Sequence, residues 1–276
     1  MKTYLMADPV RYARMTTEEL RGTFLVDDLF QPGVIQCAYL DVDRTVVGSA
    51  VPVELPLKLE TDDSLRAAYF LERRELGVLN IGGAGTVTVD GKSYALDAMD
   101  HLYVSRGSKD VVFASADKGK PAEFYLLSYP AHAAYPTTLK KKADLQVVEL
   151  GAPATANRRT LSKCIHPDGV KSCQLVMGFT QVHEGSVWNT MPPHTHMRRS
   201  EIYLYFGMAP ESRVIHLMGP PQETRHLLIA NKQVAISPSW SIHAGAGTGA
   251  YTFCWGMGGE NQAFDDMDGV AIAALK

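Results

Sequence analysis

Apolar and polar residues alternate with a period of two along most of this chain, in short runs cut off by Gly, Pro, Asp or Ser. That pattern predicts β-strands rather than helices. The first half contributes DRTVVGSAVPVEL, GVLNIG, GTVTVDG, HLYVS, DVVFAS and EFYLLSY, and the second SCQLVMGFT, EIYLYFGM, RVIHLMG, RHLLIA, QVAIS and YTFCWGM. GTVTVDG ends in Asp90-Gly91, a pair whose tolerance of positive φ suits a two-residue hairpin turn. One helical signature precedes the strands: Thr16 and Glu19 have capping-box spacing, which predicts a short helix ending around Gly22. Residues 136–160, PTTLKKKADLQVVELGAPATANRRT, are polar and turn-rich and predict a connection between halves. The expectation is a mostly all-β chain of two small β-barrels in tandem, residues 1–145 and 146–276, with a short N-terminal helix. A faint internal echo supports duplication, because Glu75 precedes Gly82 by seven residues and Glu201 precedes Gly207 by six.

Composition narrows the functional classes. The 276 residues are 46% hydrophobic and 21% charged, with a formal net charge of −3. Like charges do not run together beyond Lys140, Lys141 and Lys142, so the basic footprint of a nucleic-acid binder is missing and a small soluble ligand is the better expectation. Cys37, Cys164, Cys173 and Cys254 form no CxxC pair, which predicts reduced thiols rather than a disulfide framework or a cysteine-type zinc site. The opening MKTYLMADPVRYARMTTEEL has no apolar signal core, and no stretch approaches 18 uninterrupted apolar residues. The expected location is the cytoplasm, without a membrane partner.

The densest chemistry lies in TMPPHTHMRRSE, residues 190–201. Positions i and i+2 of a strand share a face, so His194 and His196 can present two imidazoles to one ion. Pro192 and Pro193 belong at a strand start or rim, and Glu201 opens the next run with a carboxylate. Downstream, ISPSWSIHAGAG offers His243 before a glycine-rich turn that can aim it inward. Three imidazoles and one carboxylate suit a divalent Zn, Fe, Mn, Ni or Co. In GPPQETRH, alternation puts Glu223 and Arg225 on one face, where Arg225 can clamp a substrate carboxylate; Arg198 and Arg199 can do so from the rim. Alternation from Glu201 points Tyr203 and Tyr205 inward as well. His101, His132, His166, His183, His216 and His226 lack partners at ligand spacing.

HTHMRRSE followed by PSWSIH resembles the two metal motifs of the cupin superfamily, although Trp240 stands where the second motif has glycine. The matching N-terminal stretch has no HxH, and Asp110 occupies the final histidine's place, so the first barrel resembles a cupin that has lost its metal. The longer phrases FLERRELGVLNIGGAGTVTVDG, WNTMPPHTHMRRSE, GPPQETRH, ISPSWSIHAGAGTGAYTF and GENQAFDDMD closely resemble the 5-keto-4-deoxyuronate isomerase family of bicupins, from about residue 20 to the C-terminus. The resemblance implies one divalent metal per chain, zinc, held by His194, His196, Glu201 and His243, and a homohexamer. The implied reaction is a ketol isomerisation of a uronate from pectin breakdown, moving a carbonyl from C1 to C2. A metal would polarise that carbonyl as a Lewis acid, with Glu223 as base and Arg225 on the carboxylate or enediolate; a metal-bound hydroxide, Tyr203 or Tyr205 as the proton carrier, and a hydride shift that needs no base, are the other routes. A 5-deoxyglucuronate isomerase, an Fe(II) dioxygenase and a non-catalytic sugar-acid-binding cupin are the alternatives.

Overall fold

The computed structural model describes residues 1–260 and 262–276. It resolves into two compact units, one of residues 1–3, 28–145 and 164–176, the other of residues 4–27, 146–163 and 177–276. Neither unit is continuous in sequence, unlike the expected division into 1–145 and 146–276: residues 4–27 belong to the second unit and 164–176 to the first.

Each unit is built of a seven-stranded and a four-stranded sheet among the described residues, with matching strand orders except at one edge of the larger sheet, where Thr138–Lys140 closes the first unit and Leu25–Val26 the second. In the first unit, Arg74–Asn80 lies between Phe124–Pro130 and His101–Val104. The smaller sheet carries the hairpin Gly85–Val89 to Lys92–Leu96, with Asp90 at φ 48° and Gly91 at φ 84°, as the Asp-Gly signal requires. Its apolar interior includes Leu76, Val78, Val87, Phe113 and Phe124.

In the second unit, Arg199–Phe206 takes the topological place of Arg74–Asn80, paired antiparallel with Tyr251–Gly259 and Gln233–Ser237. Ile242–Gly247 in the smaller sheet pairs with Val214–Gly219, which pairs with Arg225–Ile229. The polar stretch 136–160 is less of a loop than its composition implies, since it contains the strands Thr138–Lys140 and Gln146–Leu150. Both are edge strands, where one face meets solvent and polar residues carry little penalty.

The N-terminal helix runs Thr17–Phe24 with both halves of the capping box made: Glu19 N–H donates to the Thr16 hydroxyl at 3.2 Å and Thr16 N–H to the Glu19 carboxylate at 2.7 Å. It continues two residues past Gly22 and leads directly into strand Leu25–Val26, which pairs with Gln233–Ser237. Tyr12, Phe24 and Trp240 pack edge to face, with centroids 5.2–6.2 Å apart. Trp240, the residue that departs from the cupin motif, thus anchors the N-terminal segment to its unit.

Candidate metal centre

Four side chains converge inside the second unit. His194 sits on the short strand His194–Thr195, His196 just beyond its end, Glu201 on Arg199–Phe206 and His243 on Ile242–Gly247. Their ligand atoms all lie within 4.8 Å of one another. Glu201 Oε2 is 3.0 Å from Nε2 of His196 and 3.0 Å from Nε2 of His243, and the Nε2 atoms of His243 and His194 are 3.2 Å apart. The strand ends at Thr195, so only His194 lies on it, yet the rings of His194 and His196 come within 5.5 Å of each other in the same cluster.

The hydrogen bonds behind the rings say what the cluster is for. His196 Nδ1 lies 2.9 Å from the Arg199 carbonyl, an acceptor only, so Nδ1 must carry the proton. In the neutral ring Nε2 is then a bare lone pair aimed at a carboxylate, and the Nε2 of His243 faces both that carboxylate and His194. Buried lone pairs that close repel unless a proton or a cation lies among them. His196 is buried, which alone would lower its pKa, but hydrogen bonding to Glu201 and its charge raise it. Burial opposes ionisation of Glu201, yet His243 and His196 hold its carboxyl well below the usual range. His194 is pushed down to about 3 by burial and by His243. With a divalent ion among them the four groups would serve as a carboxylate and three imidazoles with inward lone pairs, the states such an ion requires. Ligand bonds of about 2.0–2.2 Å place neighbouring donors roughly 3–3.5 Å apart, close to the spacings found. The residues fit a metal.

A cavity of about 270 Å³ opens from this cluster. His194, Glu201, Tyr203 and Arg159 line it, with Phe253 and Trp255 among its apolar walls. Tyr203 Oη is 3.2 Å from the Thr190 hydroxyl, and its ring packs 5.6 Å from His243. Burial and the charge of Glu201 raise its pKa well above that of a free phenol, so it keeps its proton.

The structure does not bring the other expected residues here. Glu223 is exposed on the turn after Gly219, where its N–H donates to the Pro220 carbonyl. Arg225 turns to the N-terminal segment and donates to the carbonyls of Tyr12 and Met15, so the face it shares by alternation is a tether rather than a cavity wall. Arg198 is 64% exposed and pairs with Glu260 at 2.8 Å. Arg199 reaches the cavity wall, but it is fully buried and paired with Asp266 at 2.9 Å, its charge already answered. Tyr205 lies deeper, bonded to His216 Nδ1 at 2.8 Å. Arg159 was not legible in sequence: it stands in ANRRT, inside the apparent connection, and only the pairing of Arg159–Ile165 with Gln146–Leu150 turns it inward.

The fold has counterparts in known proteins. A model of the KduI/IolB family matches residues 29–272. The chain belongs to the KduI/IolB family. Proteins named 4-deoxy-L-threo-5-hexosulose-uronate ketol-isomerase from Lachnoclostridium phytofermentans and Opitutus terrae are 53% and 51% identical to it, each over 100% of both chains. Among solved structures, an IolB-like protein from Salmonella typhimurium covers 90% of this chain and 97% of its own at a TM-score of 0.74 and 14% identity. An oxalate decarboxylase from Lactobacillus farciminis covers 87% of each at a TM-score of 0.61 and 10% identity. At those identities the structures share the cupin fold and no more.

Proposed function

We propose that this chain is a metal-dependent ketol-isomerase converting 5-dehydro-4-deoxy-D-glucuronate to 3-deoxy-D-glycero-2,5-hexodiulosonate. The reading rests above all on relatives of that name at about half identity over the whole chain. The convergence of His194, His196, Glu201 and His243 at the head of a cavity supports it chemically.

These four residues would hold the ion, and a donor set of three imidazoles and a carboxylate favours zinc. When bound, the metal supplies Lewis-acid polarisation of the carbonyl that migrates between C1 and C2. The chain's own residues shape the cavity around that carbonyl. Phe253 and Trp255 exclude water along the cavity wall, which strengthens polar interactions within it. Tyr203, protonated and held by Thr190, donates a hydrogen bond toward a substrate oxygen beside Glu201. Hexameric assembly rests on the resemblance alone, and cytoplasmic location on the reading of the sequence; among the described residues no helix is long and apolar enough to cross a membrane.

Purified protein assayed on fresh unsaturated-uronate monomer, before and after chelation, tests the proposal. Turnover that vanishes on chelation and returns with zinc is expected. A metal-replete protein that leaves the uronate unchanged while isomerising 5-deoxyglucuronate, or consuming oxygen with Fe(II), would overturn it, as would binding without turnover.

A further inference from the structure

A ketol-isomerase acting on a uronate must do more than reach C1 and C2; it must also accommodate a carboxylate at the other end of the same carbon chain. A carboxylate enters a largely apolar cavity at a cost of several kcal/mol unless a cation meets it. Two arginines line the cavity. Arg199 is neutralised by Asp266. Arg159 has no carboxylate partner among the described residues, and its one side-chain hydrogen bond there runs from Nη1 to the Asn157 carbonyl at 2.9 Å. A guanidinium has five N–H donors in a fixed fork, and that single bond orients the fork without consuming it.

The local architecture makes this placement deliberate in the physical sense. Arg159 pairs with Leu150 across the edge strand and its neighbour, and Leu150, Arg159 and Leu161 all face the cavity, while the intervening Thr160 turns outward to Glu149 and His183. Arg159 is thus a lone cation in an apolar wall, on the same cavity as the metal ligands His194 and Glu201. Burial depresses its pKa, a sign that its charge lacks solvent and would gain from an anion.

We infer that Arg159 is the residue that binds the substrate carboxylate and so makes the enzyme specific for uronates over neutral sugars. This rests on the ketol-isomerase reading. It places the carboxylate on Arg159 and not on Arg225, Arg198 or Arg199.

The test uses full-length, zinc-loaded protein and the variants Arg159→Met and Arg159→Lys, each checked for zinc content equal to wild type. Two substrates are compared: the uronate and its analogue reduced to a hydroxymethyl group at C6. Wild type should prefer the uronate strongly. Arg159→Met should raise KM for the uronate on the order of 30- to 100-fold while changing KM for the neutral analogue little, with Arg159→Lys in between. Calorimetric titration with the substrate-like anion D-glucuronate gives a second readout, with binding weakened in parallel. If Arg159→Met does not fold, Arg159→Lys carries the same comparison. An unchanged KM for the uronate, or equal losses on both substrates, overturns the assignment. A wild type that turns over neither substrate overturns the isomerase reading instead, and the two failures are therefore separable.

Discussion

At the residue scale, the cluster of His194, His196, Glu201 and His243, a group that could hold a metal, was the most legible part of the molecule, because an HxH followed by a glutamate constrains position within one strand pair and needs little tertiary information. His196 is central to the proposed ligand set: it is buried, backed by the Arg199 carbonyl and 3.0 Å from Glu201. His196→Ala should therefore remove nearly all bound metal while the chain stays folded, read by metal analysis of dialysed protein alongside circular dichroism; full occupancy in the folded variant would sink the ligand set. Arg159, Glu223 and Arg225 show where spacing stops informing. Which arginine faces a cavity depends on strand pairing and on what else competes for it, and the carbonyls of Tyr12 and Met15 claim Arg225. A second residue-scale prediction concerns His101, an ordinary strand histidine in sequence. It is buried, with Nδ1 3.2 Å from the Met99 carbonyl, and burial pushes its pKa down to about 4. The unfolded chain takes up that proton near pH 6.5 and the folded chain only near 4, so the stability is full above pH 6.5 and lost as pH falls toward 4. Urea unfolding at pH 7 and pH 4.5 should show the acid loss reduced by roughly 2–3 kcal/mol in His101→Gln.

At the scale of elements, strand runs and the Asp90-Gly91 turn were readable because period-two alternation and positive φ are local properties. The assignment of segments to units was not, because it depends on distant partners: Trp240 for residues 4–27, and Glu75 for residues 164–176. Glu75 sits on the strand that corresponds to the one bearing Glu201, and it is fully buried. Its carboxylate accepts from the backbone N–H groups of Cys173, Gln174 and Leu175 at 2.6–2.8 Å and from the Tyr103 hydroxyl at 2.8 Å. In this unit a stretch of the chain's own backbone supplies the donors that a carboxylate at such a place demands. Asp110, at the place of the motif's last histidine, instead forms a surface ion pair with Lys58 at 2.8 Å. Glu75→Gln replaces one acceptor oxygen with a donor facing donors, which should cost about 2–4 kcal/mol in urea unfolding. It should also speed proteolysis at residues 172–176; an unchanged midpoint would show that the loop is held by its apolar contacts alone.

At the scale of the whole molecule, the duplicated fold has solved the same problem twice with different chemistry, and this difference can be measured. The first unit's buried glutamate is satisfied by N–H and O–H donors that belong to the chain. The second unit's glutamate faces imidazoles whose lone pairs point inward, so its polar interior is complete only with a cation or a shared proton among the four groups. Whatever binds the folded state alone stabilises it by mass action, and the stabilisation is felt first by the elements that carry the ligands. Chelation should therefore accelerate amide hydrogen exchange in residues 190–196 and in the strands Arg199–Phe206 and Ile242–Gly247. Arg74–Asn80 and Val111–Ser115 should keep their protection, since nothing in their interior waits for an ion. Equal acceleration in both units would mean that the metal governs the stability of the chain as a whole, and no change in either would mean that the histidine cluster is held by its own hydrogen bonds; each result contradicts the division of roles argued from Glu75 and Glu201.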